Sequence, residues 1–404
     1  MRQTIDELMR EVNCLRFPER WREIYDEAMD TFDKEGCALC DPAYYDDLGD
    51  RYGILKEHRA VYRSAAEAIG KSEPLSRFLA LLVRALRDRD VVFDDLKQLK
   101  APVSPNGKRN IAYDMLTGLA ICSLVPYCDA LLRKRNFPEE LIQRTLALPE
   151  NGIEEYRKRH GGEDGYHLIE WFQRSIEGRL FRLSRLEIEL AYFRRPVTVF
   201  RHRTSGDTIA LASGMTLHRS GFALGAKHYE NEEGAFVAEI EETENAYCGH
   251  PFLESGFVSK DTVILQKDEW ETALAYGDPI ISLHIPPTGP LDPEAVDATL
   301  EETKAFLRTY FPEFSYKAFV CGSWLLDPQL ETLLGENSNI VKFGKRFARL
   351  TAKSAGNGVF NFVFKKPNND FDIRDLPETT RLERALKAHY LDGKAIYEMY
   401  GYFF

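Results

Sequence analysis

Residues 280–326 constrain the fold of this chain more than any other stretch, because they read as strand, turn, capped helix and second strand in close succession. Residues 280–285 (IISLHI) are apolar apart from Ser282 and His284, as a buried strand requires. A turn follows, carrying Pro286, Pro287, Thr288, Gly289, Pro290 and Leu291. Asp292 and Pro293 then open a helix, since an aspartate caps free N–H groups and proline suits the first helical position. Val296, Leu300, Thr303, Leu307 and Tyr310 recur at helical spacing, and Pro312 helps to end the run. Residues 317–321 form a second strand, after which Asp327-Pro328 repeats the capping pair. A strand–helix–strand unit of this length predicts parallel pairing, with ligands outside the strands' carboxyl ends. Those ends carry His284, Thr288, Gly289, Cys321 and Ser323.

Residues 1–178 read as helical throughout. Thr4 and Glu7 make a capping box, and Ile5, Leu8, Met9, Val12 and Leu15 form one face. Further helices are expected after Pro18 and over 75–86, 111–132, 139–148, 153–160 and 166–177. The 111–132 run is the most apolar, yet Asp114, Pro126 and Asp129 interrupt it. A membrane-spanning helix needs about 20 predominantly apolar residues, so a buried helix is the better reading.

Near Gly178 the period changes from helical to two. Leu186, Ile188, Leu190 and Tyr192 alternate with Glu187, Glu189 and Ala191, and Ser184-Arg185 marks an expected bulge. Strands are expected over 197–203, 236–240, 262–265, 340–350, 358–364 and 397–403, with a helix over 380–391. The chain therefore divides into an all-helical part, 1–178, and an α+β part, 179–404.

A net charge of −11 excludes a general nucleic-acid binder, which needs a basic face. Seven cysteines and a charged amphipathic start point to reduced thiols in the cytoplasm rather than a secreted disulfide framework. Cys37-x-x-Cys40 lacks a second pair for zinc, and the acidic run Asp370, Asp372, Asp375 lacks a calcium loop's Gly and Glu, so no metal is expected. Gly107-Lys108-Arg109 lacks the glycine spacing of a phosphate loop. Arg179, Arg182, Arg185, Arg194, Arg195, Arg201 and Arg203 form a basic cluster. It either pairs with nearby glutamates or attracts a phosphate-bearing cofactor.

His284, ending a buried strand beside a turn, can take a proton from an amine or hydroxyl nucleophile, or can serve as a structural hydrogen bonder. Cys321-Gly322-Ser323-Trp324-Leu325 stands where a strand gives way to a helix, but Cys321 and Leu325 replace the glycines that a nucleophile elbow demands.

Leu283-His284-Ile285-Pro286 with Gly289, Ser323-Trp324-Leu325-Leu326, Asn337-Ser338-Asn339-Ile340 and Gly277-Asp278 resembles the GNAT-like acyltransferase-domain proteins of bacteria. The resemblance covers nearly the whole chain. It implies a helical amino-terminal domain and a GNAT-like mixed sheet, with acyl-coenzyme A held between two splayed central strands. By that analogy Ile285 lies beside the pantetheine arm, and Thr288, Gly289, Leu291 and Asp292 offer N–H groups to the pyrophosphate. His284 is the implied base, and Cys321 and Ser323 line the acceptor pocket. The usual GNAT turn, Arg/Gln-x-x-Gly-x-Gly/Ala, is absent, and Pro286, Pro287 and Pro290 have no N–H to give.

The first expectation is therefore transfer of an acyl group from acyl-coenzyme A to a small-molecule amine or hydroxyl acceptor, without nucleic acid or membrane as partner. A second is a non-catalytic binding protein on the same scaffold, and a third a hydrolase using Cys321 or Ser323.

Overall fold

The structure, a computed structural model, describes residues 3–87, 98–166, 169–286, 289–366 and 371–404. It divides into two compact units, Met1–Phe181 and Arg182–Phe404.

The first unit is helical. Its opening helix, Ile5–Glu11, has the expected box: Glu7 N–H donates to Thr4 Oγ1 and Thr4 N–H to Glu7 Oε2. Helices Trp21–Glu35 and Glu73–Arg87 pack along their apolar faces, where Trp21 meets Phe78 with ring centroids 6.1 Å apart. The 111–132 run is broken into Ile111–Asp114, Leu116–Cys122 and Val125–Lys134, with Pro126 in the first turn of the last. The segment Leu116–Lys134 is long and apolar enough to cross a membrane by composition, but most of it is buried inside the protein. Cys122 and Cys128 are core side chains there. Cys37 precedes a short 3-10 turn, Ala38–Cys40, that ends on Cys40, and the hydrogen bond from Cys37 holds the Cys40 thiol below its ordinary range. Among the described residues no group of three or more His, Cys, Asp or Glu could hold a metal ion.

The strands run β1 Leu180–Leu183, β2 Leu186–Tyr192, β3 Val197–His202, β4 Thr208–Ala212, β5 Met215–Leu217, β6 Phe236–Ala238 and β7 Glu241–Glu242. They continue as β8 Ala246–Gly249, β9 Val263–Gln266, β10 Trp270–Leu274, β11 Pro279–His284, β12 Phe319–Ser323, β13 Ala348–Leu350 and β14 Met399–Phe403. The main sheet has the order β1-β2-β11-β12-β14-β13, and three small sheets surround it. β11 pairs with β12 in parallel, as the intervening helix Pro293–Tyr310 demands, and antiparallel with β2.

One face of the main sheet packs under β10-β3-β4 through Val199, Leu274, Ile280, Val320, Leu350 and Tyr402. On the other, Phe319 stacks on Phe403 at 5.1 Å and Phe347 meets the same ring edge-on.

Three sequence expectations fail here. Ser184-Arg185 is a tight turn joining β1 to β2, not a bulge, and Ser184 adopts φ 39°. Residues 340–350 split into a helix, Asn339–Gly344, and the short β13. Residues 358–364 hold a helix, Gly358–Phe362, not a strand. Short apolar runs suit a strand and a buried helix equally, so period alone cannot separate them. Asp372 closes an ion pair with Arg374, while Asp370 lies outside the described residues.

Candidate active site

The register of β2 against β11 sets Glu189 opposite Ser282 and Glu187 opposite His284. Side chains alternate along a strand, so these groups share one face of the sheet. The Glu189 side chain is only 9% exposed, and a buried carboxylate needs a partner. Its Oε2 lies 3.0 Å from His284 Nε2. A carboxylate can only accept, so Nε2 carries the proton and the ring's basic lone pair is on Nδ1. That is how a carboxylate orients a histidine to act as a base.

His284 stands where the two parallel strands part. The β11–β12 ladder ends at Leu283↔Cys321, whereas β12 stays paired with β14 through Gly322↔Tyr400 and Ser323↔Met399. Gly322, one residue beyond Cys321, belongs to the face that His284 occupies. It is exposed, and a Cβ there would lie 2.7 Å from Tyr400 Cε1, so the phenol ring rests directly on the glycine. The Arg195 guanidinium stacks on that ring, 3.6 Å from its centroid.

Arg185 secures the turn after β11. Its Nε donates to Pro290 O at 2.7 Å, Nη1 to Pro286 O at 3.2 Å and Nη2 to Gly289 O at 2.8 Å. Burial brings this guanidinium below its usual range, with the Arg182 charge adding to the effect. The rigid planar fork of arginine suits such bridging, where an ammonium would not. Gly289 is exposed at φ 79°, and among the described residues nothing lies within 4 Å of a would-be Cβ there.

The rest of the arginine cluster divides between two uses. Arg179 pairs with Glu177 in the turn before β1 and Arg182 with Glu187 in a partly buried contact, while Arg203 pairs with Glu271 in the solvated manner expected of a strand face. Arg201 lies over Phe404.

The site residues expected from the sequence do not all converge. His284 ends β11 as anticipated, with Ile285 half-buried beyond it. Thr288 lies outside the described residues. Leu291 is buried at 7% exposure. Asp292 is a helix cap whose Oδ1 accepts the N–H of Glu294 at 3.0 Å and of Ala295 at 3.5 Å. Those two N–H groups are thereby engaged, and a carboxylate stands at the start of the helix. Positive charge beside the turn comes from Arg185 and from Arg346, which donates to Pro293 O at 3.4 Å and pairs with Asp297.

Cys321 and Ser323 fall on the face opposite His284, because Cys321 is in register with Leu283. Burial pushes the Cys321 thiol up to about 12, which leaves it protonated and unreactive at neutral pH. Ser323 Oγ accepts the N–H of Leu325 at 3.2 Å from an extended backbone at φ −161°, without the strained turn of a nucleophile elbow. Neither supplies the chemistry of His284. Glu189 and Gly322 were not expected in the site, and Arg185 was noted only as a member of the basic cluster. The signal for Glu189 was an acidic residue alternating with apolar ones, which Glu187 shares.

A mixed sheet whose described parallel pair, β11 and β12, parts at its carboxyl end has the frame of a GNAT-like fold. The chain belongs to the family of the GNAT-like C-terminal domain, which it matches over residues 180–403, and residues 44–178 match the N-acyltransferase N-terminal domain. Among solved structures, the chain is similar to an acyltransferase in complex with decanoyl-CoA and teicoplanin, at 20% identity and a TM-score of 0.64 over 99% of each chain. It is also similar to an acyltransferase mutant in complex with octanoyl-CoA, at 20% identity and a TM-score of 0.62 over 98% of each chain. No curated protein matches the sequence.

Proposed function

We propose that this chain is an acyl-CoA-dependent acyltransferase that acylates an amine or hydroxyl on a small-molecule acceptor. The observation that carries the reading is the Glu189–His284 pair at the mouth of the parting strands β11 and β12. In this reading His284 takes a proton from the attacking nitrogen or oxygen through Nδ1, and Glu189 stabilises the imidazolium that results. The acyl carbon gains a bond to the acceptor and loses its bond to sulfur. The departing thiolate needs a proton, and in this reading the phenol of Tyr400, whose ring lies against Gly322, gives it. Arg185 and Arg346 favour a phosphate-bearing donor near the turn, although the capping carboxylate of Asp292 means that its phosphates are not gripped by that helix's first N–H groups.

The similar structures hold octanoyl-CoA or decanoyl-CoA, and in one case a glycopeptide. That supports a medium-chain donor and a small-molecule acceptor here. An acyl-CoA donor supports a cytoplasmic reaction. The test is calorimetric titration with acetyl-, octanoyl- and decanoyl-CoA, with dephosphorylated analogues as controls. Micromolar binding that needs the phosphates is expected, and no binding by any of them would reject the reading.

A further inference from the structure

A cavity of about 460 Å³ opens within the second unit, at the start of β14. Its walls include Phe222, Tyr229, Phe257, Tyr397 and Met399, with Gln329 among its polar groups. Met399 is the register partner of Ser323, the last residue of β12. The cavity therefore sits beyond the carboxyl end of β12, and Met399, like Ser323, belongs to the face of the sheet opposite His284.

The aromatic groups form a packed floor. Phe222 stacks on Tyr229 at 4.4 Å and lies 5.0 Å from Phe257 and 5.1 Å from Tyr397. Hydroxyls and an imidazole edge this floor: His228 Nδ1 lies 3.1 Å from the Tyr397 hydroxyl, and the Tyr397 ring lies 5.5 Å from that of Tyr229. His228 holds its place in the loop at φ 68°, in the left-handed region that a histidine seldom adopts.

The nature of these walls selects among ligands. Asp327 could suggest a cation site, but its carboxylate is already occupied. Tyr397 N–H donates to it at 2.7 Å, Gln329 N–H at 2.9 Å and Gln329 Nε2 at 3.1 Å. A bare alkyl chain would fill the space but strip water from Tyr229, His228 and Gln329 without replacing their hydrogen bonds. A flat ring bearing hydroxyl groups satisfies both requirements. Its face stacks on the aromatic floor, and its hydroxyls meet the polar edge. The volume suits such a ring with its substituents, since small-molecule sites run to about 300–1,000 Å³.

We propose that this cavity is a small-molecule site of its own, on the face of the sheet opposite His284, and that it docks a hydroxyl-bearing ring, phenolic or sugar.

The test is equilibrium binding of tyramine, glucosamine and n-hexylamine to the full chain without any donor, so that it does not depend on turnover. Tyramine or glucosamine is expected to bind at least tenfold more tightly than n-hexylamine, and the stronger of the two identifies the ring as phenolic or sugar. Tyr229→Ala should weaken that binding tenfold or more, and the milder Tyr397→Phe severalfold, with thermal unfolding confirming that each variant is folded. Ring amines that bind no better than n-hexylamine would overturn the proposal. So would an unchanged affinity in both folded variants. Loss of acyl-CoA binding in folded Tyr229→Ala would assign the cavity to the donor and also overturn it. Failure of the wild-type chain to bind any acyl-CoA, with ring binding intact, would strike the transferase reading and leave the ring site standing.

Discussion

Glu189 Oε2 lies 3.0 Å from His284 Nε2, joining residues 95 positions apart in the sequence on adjacent antiparallel strands. The pairing explains how a carboxylate can be 9% exposed and how an imidazole at a strand end keeps one orientation. Removing the base should cost about a hundredfold or more in kcat, the usual worth of general-base catalysis. We expect that of His284→Ala. Glu189→Gln keeps the shape and removes the charge, and should lower kcat by about tenfold or more while leaving KM for acyl-CoA nearly unchanged. Steady-state kinetics on folded variants checks both, and near-normal turnover in His284→Ala would remove it as the base.

Arg185→Ala takes away three hydrogen bonds to the turn carbonyls of Pro286, Gly289 and Pro290. Hydrogen bonds from a charged donor contribute about 1.5–3 kcal/mol each when buried, and exposure here reduces them, so a total near 2 kcal/mol is expected. Urea unfolding measures that loss. Acyl-CoA affinity should fall as well, and Arg185→Lys should restore little of either, because an ammonium lacks the planar fork.

A methyl group at Gly322 would stand 2.7 Å from the Tyr400 ring, itself covered by Arg195. Gly322→Ala should therefore cost about 1–3 kcal/mol, as overpacking does. Adding Tyr400→Ala should recover part of that stability, because the obstructing ring is gone. A double-mutant cycle in urea reads the coupling, and additive losses would count against the contact.

Asp327 is a buried carboxyl whose proton affinity is raised above the ordinary value of 3.8, burial outweighing the hydrogen bonds from Tyr397 and Gln329. The folded chain thus holds this proton more tightly than the unfolded chain. The stability that it contributes is complete below 3.8 and is lost as pH rises through the folded value. Relative to Asp327→Asn, the wild-type chain should lose stability with rising pH in that window and run parallel above it. Urea midpoints for both proteins from pH 3 to 7 test the sign.

Cys321 is held protonated inside the core at about 12. Cys321→Ala should keep acyl transfer within a few-fold of wild type and lower stability modestly, as small buried truncations do. Abolished turnover in a folded variant would return the thiol to the reaction.

Much of the fold was legible because it depends on local order. The Thr4–Glu7 box, the Asp292-Pro293 helix start and the alternation of β2 each involve residues within a few positions of one another. The parallel pairing of β11 with β12 followed from the length of the connection between them. Segments 340–350 and 358–364 were misread, because a short apolar run carries no period that distinguishes strand from helix.

By itself, then, the sequence determined the helical first half, the mixed-sheet second half and the strand end on which His284 stands. The tertiary structure alone decided what surrounds that histidine. Register chose Glu189 as its partner and turned Cys321 and Ser323 to the opposite face. The turn at Ser184-Arg185 carried a guanidinium to carbonyls a hundred residues away. Such contacts depend on which strand lies beside which, and on the parity of their pairing. A one-residue slip reverses every side chain, so local sequence cannot report them.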